Sequence, residues 1–260
     1  MNVQAVSWSP FRCYVLEAKY EFLKVFRMPA YAIPSITFPV MFYVLFGLAF
    51  GSGRAGGVTL ATYLIATYGA FGVIGASLFG FGVGVAVERG QGWMVLKRAT
   101  PMPPAAYFLA KLITCMVFAS IIVLLLSFLG AMFGGVRLPG LVWARLFITL
   151  ILGAVPFCAL GLAIGSFAGP NSAPPLVNLL YLPMSFASGL WIPIQVLPPF
   201  VRALSHALPP YHLGQLALGT IGAGQGEPAW IHIVALAVFT LLGLGLAWVG
   251  YRRDEGKTWG

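Results

Sequence analysis

The six acidic residues of this 260-residue chain, Glu17, Glu21, Glu88, Glu227, Asp254 and Glu255, all fall at the edges of long apolar segments or outside them. A proton- or sodium-coupled carrier usually keeps an ionisable group inside its helix bundle, so this distribution argues against secondary transport. Backbone carbonyls can still bind sodium. The cysteines, Cys13, Cys115 and Cys158, show no metal-ligand spacing, and two lie inside apolar segments, so they read as small core residues. No Walker A pattern occurs, which excludes nucleotide binding through a P-loop. What remains is one charged island, Glu88, Arg89, Lys97 and Arg98, with Gly90 and Gly92 inside it and a proline stop at Pro101. Its spacing suits a docking surface better than a passive loop.

The island separates two uncharged stretches, residues 60–87 and 112–136. Charges are costly and rare at bilayer depth, so a cluster in this position belongs at a membrane surface. Composition agrees: 60% of the residues are hydrophobic and 8% charged, against about 25% charged in a soluble domain. The net charge of +9 does not signal nucleic acid, because the basic residues gather at the ends of apolar runs instead of forming a stripe. A span needs roughly 20 apolar residues. Runs of that kind predict six spans, at 31–50, 60–87, 107–134, 146–168, 175–192 and 228–251. Arg12, Lys19, Lys24, Arg27, Arg89, Lys97, Arg98, Lys111, Arg252, Arg253 and Lys257 would then lie on one side, and only Arg54, Arg137, Arg145 and Arg202 on the other. The positive-inside rule puts both termini and the island in the cytoplasm.

The ends and breaks divide the chain further. As a helix, residues 10–27 group Phe11, Tyr14, Val15, Ala18, Phe22, Val25 and Phe26 on one face, with Arg12, Glu17, Lys19, Glu21, Lys24 and Arg27 around the rest. Residues 1–28 are therefore expected to form an interfacial helix in the headgroup layer. Residues 29–251 would be the transmembrane domain and 252–260 a cytoplasmic tail. Within the domain, 88–104 is the cytoplasmic island. Residues 190–213 are too rich in proline for a straight span. They are expected to dip in from the outer surface, with Val196, Phe200, Val201 and Leu204 towards lipid and Trp191 and Tyr211 as interfacial anchors.

Two sets of residues carry a resemblance to the membrane subunits of ABC-2 type exporters. Glu88-Arg89 with Gly90 and Gly92, then Arg98-Ala99-Thr100-Pro101 and Ala110-Lys111, is similar to that family's cytoplasmic segment after the second span. Ser188-Gly189-Leu190-Trp191-Ile192-Pro193, then Leu197-Pro198-Pro199 and Leu208-Pro209-Pro210-Tyr211, is similar to its re-entrant region before the last span. Gly90 and Trp93 depart from the pattern, which often has an acidic residue and a small hydroxyl residue there. The resemblance implies an all-α membrane permease of six spans in a bacterial inner membrane, working as a dimer, with a homodimer expected, beside two cytoplasmic ABC ATPases. ATP and Mg2+ would be bound by those ATPases, and no cofactor or metal by this chain. Glu88, Arg89, Gly90, Gly92, Lys97, Arg98 and Pro101 would couple to the ATPase, with Arg12, Glu17, Lys19, Lys24 and Arg27 of the first helix cradling it. Ser188, Gly189, Pro193, Pro198, Pro199, Pro209 and Pro210 would shape the re-entrant segment.

The expected cargo is a hydrophobic or amphipathic compound, such as a drug, an antibiotic or a lipid, moved outward past Phe38, Phe42, Tyr43, Tyr63, Tyr68 and Phe71. The same aromatics would suit a lipid-linked saccharide, or simply face lipid. From another class, Phe186-Ala187-Ser188-Gly189 resembles the serine motif of rhomboid proteases, with His206, His212 or His232 as a base. A non-transporting membrane assembly protein is the third alternative.

Overall fold

The computed structural model describes residues 10–50, 53–100 and 102–255, and it is almost wholly helical. Pro101, the first nine residues of the expected interfacial segment and residues 256–260 of the tail lie outside the described residues. Helix α1 (Pro10–Phe26) is followed by α2 (Pro29–Phe42), which Pro29 opens at a position where its missing N–H costs nothing. A π-helical segment, Tyr43–Ala49, extends α2. A small hairpin of β1 (Arg54–Ala55) and β2 (Val58–Thr59) then turns through Gly56 and Gly57, both at positive φ. Thr59 caps α3 (Leu60–Ser77), its Oγ1 accepting from the amide of Thr62 at 3.3 Å.

A second π-helical segment, Leu78–Val83, carries α3 into α4 (Gly84–Gly90). Gly92, at φ +76°, turns the chain into α5 (Trp93–Arg98). Next come α6 (Pro104–Met132), α7 (Gly140–Leu152) and α8 (Ala154–Phe167), the last two meeting at Gly153. Helix α9 (Ala173–Ala187) precedes a 3-10 turn at Ile194–Val196, α10 (Pro199–Ser205) and α11 (Pro209–Thr220). The last element is α12 (Ala229–Glu255).

Helix α3 is the hub. It is apolar on every side, and every residue from 61 to 78 is buried, as expected of a helix surrounded by others. Helices α2, α6 and α11 pack around it, α1 lies along α6, and α12 lies along α8. Helix α8 approaches the Leu78–Val83 segment closely enough that a Cβ at Gly165 would stand 2.9 Å from the carbonyl oxygens of both Phe81 and Gly82. Small residues permit such contacts between helices in lipid.

Among the described residues, five helices are long and apolar enough to cross a membrane: Tyr31–Ala49, Leu60–Gly90, Ala105–Met132, Gly140–Phe167 and Ala229–Arg253. The segment expected at 175–192 is instead the 15-residue α9, about 22 Å long at the helical rise. Ser188 and the positive-φ Gly189 end it. The expected fourth span also starts earlier, so that Arg145 lies exposed within its first turns. The proline-rich segment does not stop at 213. Pro209 and Pro210 occupy the first positions of α11, where proline starts a helix, and that helix runs to Thr220.

Candidate functional site

At one end of the bundle, four charges from three helices close a ring. Glu21 and Lys24 come from adjacent turns of α1, Glu88 from α4 and Lys111 from α6. Lys24 bonds both Glu21 and Glu88. Lys111 also bonds both, at 2.7 Å to Glu21 and 2.9 Å to Glu88. Each charge therefore has two neighbours of opposite sign, and the ring is neutral. Tyr107 donates its hydroxyl to the other oxygen of Glu88 at 2.6 Å. Glu88 is only 5% exposed and Lys111 only 3%; charges so deep are found paired and hydrogen-bonded.

Outside the ring, Lys97 on α5 bonds Glu17 on α1, and its ammonium stands 4.3 Å from the centre of the Tyr107 ring. Arg89 turns the other way. Its guanidinium donates to the carbonyls of Ser166 and Ala168, the latter at 2.8 Å, satisfying the end of α8. A Cβ on Gly90 would meet Pro170 at 2.6 Å. Thus α1, α4, α5, α6 and α8 are tied together at one place by side chains whose sequence separations reach 90 residues.

This placement corrects the expected picture of an outward-facing charged island. Glu88 and Arg89 point into the protein, and Lys97 is shared between two helices. Among the described side chains of α5, the exposed ones are apolar: Leu96 is 72% exposed and Trp93 45%. Arg98 continues α5, and Pro101 lies outside the described residues. Arg12 and Lys19 on α1 and Arg27 just after it are exposed, whereas Glu17, Glu21 and Lys24 face the bundle. The acidic residues of α1 were expected among headgroups. They lie inside because lysines on α5 and α6 meet them there. Glu21 and Tyr107 join this candidate site although sequence spacing did not single them out, and Lys111, read there only as part of the family-like Ala110-Lys111 segment, closes the ring.

A second feature lies between α2, α3 and α9. A cavity of about 320 Å³ is lined by Phe38, Phe42, Phe71, Tyr181 and Trp191 with Ser35 and Asn178. Phe38, Phe42, Phe46 and Phe50 form a ladder along α2 and its π-helical extension, ending just past it, with successive ring centres 6.2–6.4 Å apart. Phe71 stacks on Tyr181 at 4.7 Å, and Trp191 stands 5.2 Å from Phe42. The Trp191 indole N–H has no acceptor among the described residues. Three of the six aromatics expected on a substrate path thus line this cavity. Tyr43, Tyr63 and Tyr68 do not; all are at most 1% exposed, in the core.

The third cluster gathers all three histidines at the opposite end, where α11 meets the start of α12. Its members are His206, Tyr211, His212, Glu227 and His232. Burial first, then the neighbouring His232, holds the imidazole of His212 below the usual histidine range. Burial and then Glu227 raise the Tyr211 phenol above its ordinary value. Tyr211 is buried rather than an interfacial anchor. Ser188 is also buried, and its hydroxyl has no hydrogen-bond partner among the described residues, so no histidine activates it. In the proline-rich segment Val196, Phe200 and Leu204 are exposed, Pro193 and Pro198 precede the 3-10 turn and α10, and Pro199 opens α10.

Comparison with known proteins agrees with this architecture. Residues 14–221 match the family model of the ABC-2 type transporter, from α1 through the ring and the aromatic cavity to the end of α11. A Bacillus subtilis (strain 168) protein named "Putative transport permease YvfS" is 27% identical over 235 residues, covering 90% of this chain and 95% of its own. A helical membrane protein with this match is a transport permease subunit. The chain belongs to the ABC-2 type transporter family.

Proposed function

We propose that this chain is the permease subunit of an ATP-driven exporter, and that it receives force from its ATPase through α5. The observation that carries this is the pairing of an exposed apolar patch, Trp93 and Leu96, with the buried charge ring beneath it. A force-bearing contact needs an exposed face and a rigid anchorage. The ring and the Arg89 bridges anchor α4 and α5 to α1, α6 and α8. Family membership implies an ABC ATPase as partner. Two ATPase copies, a permease homodimer, a bacterial inner membrane, cytoplasmic termini and outward transport complete the proposal. In it, α9 with the turn after it serves as a sixth membrane segment, and the Ile194–Val196 turn, α10 and α11 dip in from the outer face.

The cargo suited to the cavity is hydrophobic or amphipathic. The Phe38 ladder offers apolar surface, and the unpaired Trp191 N–H gives one polar handle for an acceptor group. A lipid-linked saccharide is the second candidate, because exposed Phe38, Phe46 and Phe50 are able to stack on sugar faces. The test is co-purification with the ATPase, followed by ATP hydrolysis in bilayer discs. Changing Trp93→Ala and Leu96→Asp together should lower ATPase retention at least about tenfold, as expected for losing two buried apolar anchors. Trp191→Phe should leave retention intact and weaken stimulation by acceptor-bearing compounds. Unchanged retention in the α5 double variant would sink the coupling proposal.

A further inference from the structure

The histidine cluster contains more hydrogen-bond acceptors than hydrogens. His206 Nδ1 lies 2.8 Å from the Arg202 carbonyl, and His212 Nε2 lies 3.0 Å from the His206 carbonyl. A carbonyl only accepts, so both nitrogens carry hydrogen. Neutral His212 then presents a bare Nδ1 to His232 Nδ1, 3.0 Å away, and His232 must donate. This assignment leaves the remaining nitrogens of His206 and His232 as lone pairs, and both face Glu227. His232 Nε2 is 3.4 Å from one carboxylate oxygen, and His206 Nε2 is 3.6 Å from the other. The Tyr211 hydroxyl oxygen is 3.2 Å from both Glu227 and His206 Nε2, and its single hydrogen serves one of them.

We infer that this cluster is a proton-binding site that latches α11 to the start of α12. One proton from bulk water, entering on the exposed side of Glu227, lies between His232 Nε2 and the carboxylate, whichever atom holds it. A second settles on the more exposed His206. With both bound, Glu227 accepts from His206, His232 and Tyr211, and every contact has one donor and one acceptor. The described residues hold no group of three or more His, Cys, Asp or Glu side chains that suits a metal ion, so the proton is the cation that fits. A third proton, on His212, would oppose two N–H groups across the 3.0 Å contact and open the latch. The other titratable or charged groups on the elements packed here are Tyr63 and Tyr68 of α3, Arg145 of α7, Cys158 of α8, Tyr181 of α9, Arg202 of α10, and Tyr251, Arg252, Arg253, Asp254 and Glu255 at the far end of α12.

The latch is therefore tightest at intermediate pH. It loosens in alkali as the protons between Glu227 and the two histidines leave, and in acid as His212 charges. Amide exchange over residues 209–233 of the intact protein in EDTA, corrected for intrinsic rates, reads both limbs. Between the optimum and alkaline pH, opening should rise about tenfold, the effect of losing one charge-assisted hydrogen bond. Glu227→Gln, whose amide donates permanently, should flatten the alkaline limb, and His212→Gln the acid limb. Nitrogen NMR of the unmutated protein should show hydrogen on Nε2 of His212 and Nδ1 of His206. Opposite tautomers, an alkaline limb that survives in Glu227→Gln, or protection that depends on added Zn2+ would each overturn the proton site.

Discussion

The charge ring predicts an unusual pattern of rescue. Removing Glu88 by Glu88→Ala leaves Lys24 and Lys111 facing a single carboxylate, Glu21, with Lys111 almost fully buried. Breaking a buried pair by deleting one partner costs about 3–5 kcal/mol. That corresponds to a fall of roughly 6–20 °C in Tm for a chain of this size. Lys111→Met alone should cost a similar amount, because it leaves two carboxylates around Lys24. Glu88→Ala with Lys111→Met restores neutrality, and its cost should fall short of the sum of the singles by about 2 kcal/mol, within the range for residues sharing a network. Exchanging the charges instead, Glu88→Lys with Lys111→Glu, would rescue an isolated pair. In the ring the exchange sets the new ammonium beside Lys24 and the new carboxylate beside Glu21, so no rescue is expected. Thermal unfolding of the purified protein in bilayer discs measures all four. Additive single changes, or full rescue by the exchange, would refute a closed ring.

Two further outcomes follow from the packing. Gly165→Val would push a Cβ to 2.9 Å from two carbonyl oxygens of the π-helical segment; backbone cannot swing aside as a side chain can, so a loss of about 1–3 kcal/mol is expected in the same unfolding assay. Arg89→Lys keeps the charge but reaches one carbonyl instead of two, and should cost about 1–3 kcal/mol by orphaning a buried acceptor at the end of α8. Equal stability for Arg89→Lys and the parent would remove Arg89 from the anchorage of α4.

The class of this protein was legible without coordinates. Segments of about 20 apolar residues have few ways to bury their backbone in lipid other than helices, and four of the expected spans match helices of spanning length closely in position. The family resemblance rested on local words, such as Glu88-Arg89 and Leu208-Pro209-Pro210-Tyr211, that lie at a helix end and a helix start. Proline punctuation was read correctly as a break but not as a start. Pro209 and Pro210 have the same composition signal at either end of a helix, and only the chain that follows decides.

Charge density marked the island, but not the direction its side chains take. Glu88 looked like surface because sequence neighbours such as Arg89, Lys97 and Arg98 are charged. It is buried because Lys24 and Lys111, 64 and 23 residues away, arrive from other helices. The aromatics divided the same way: Phe38 and Tyr43 sit five residues apart on one helical segment, yet one lines a cavity and the other is core. The histidines, separated by 6 and 20 residues, carried no periodic signal at all. Sequence alone determined the solvent, the number of long apolar helices to within one, and the family. Tertiary structure decided which charges meet, since the free energy of a buried charge depends on partners brought close in space by packing, and such partners leave no mark in local sequence.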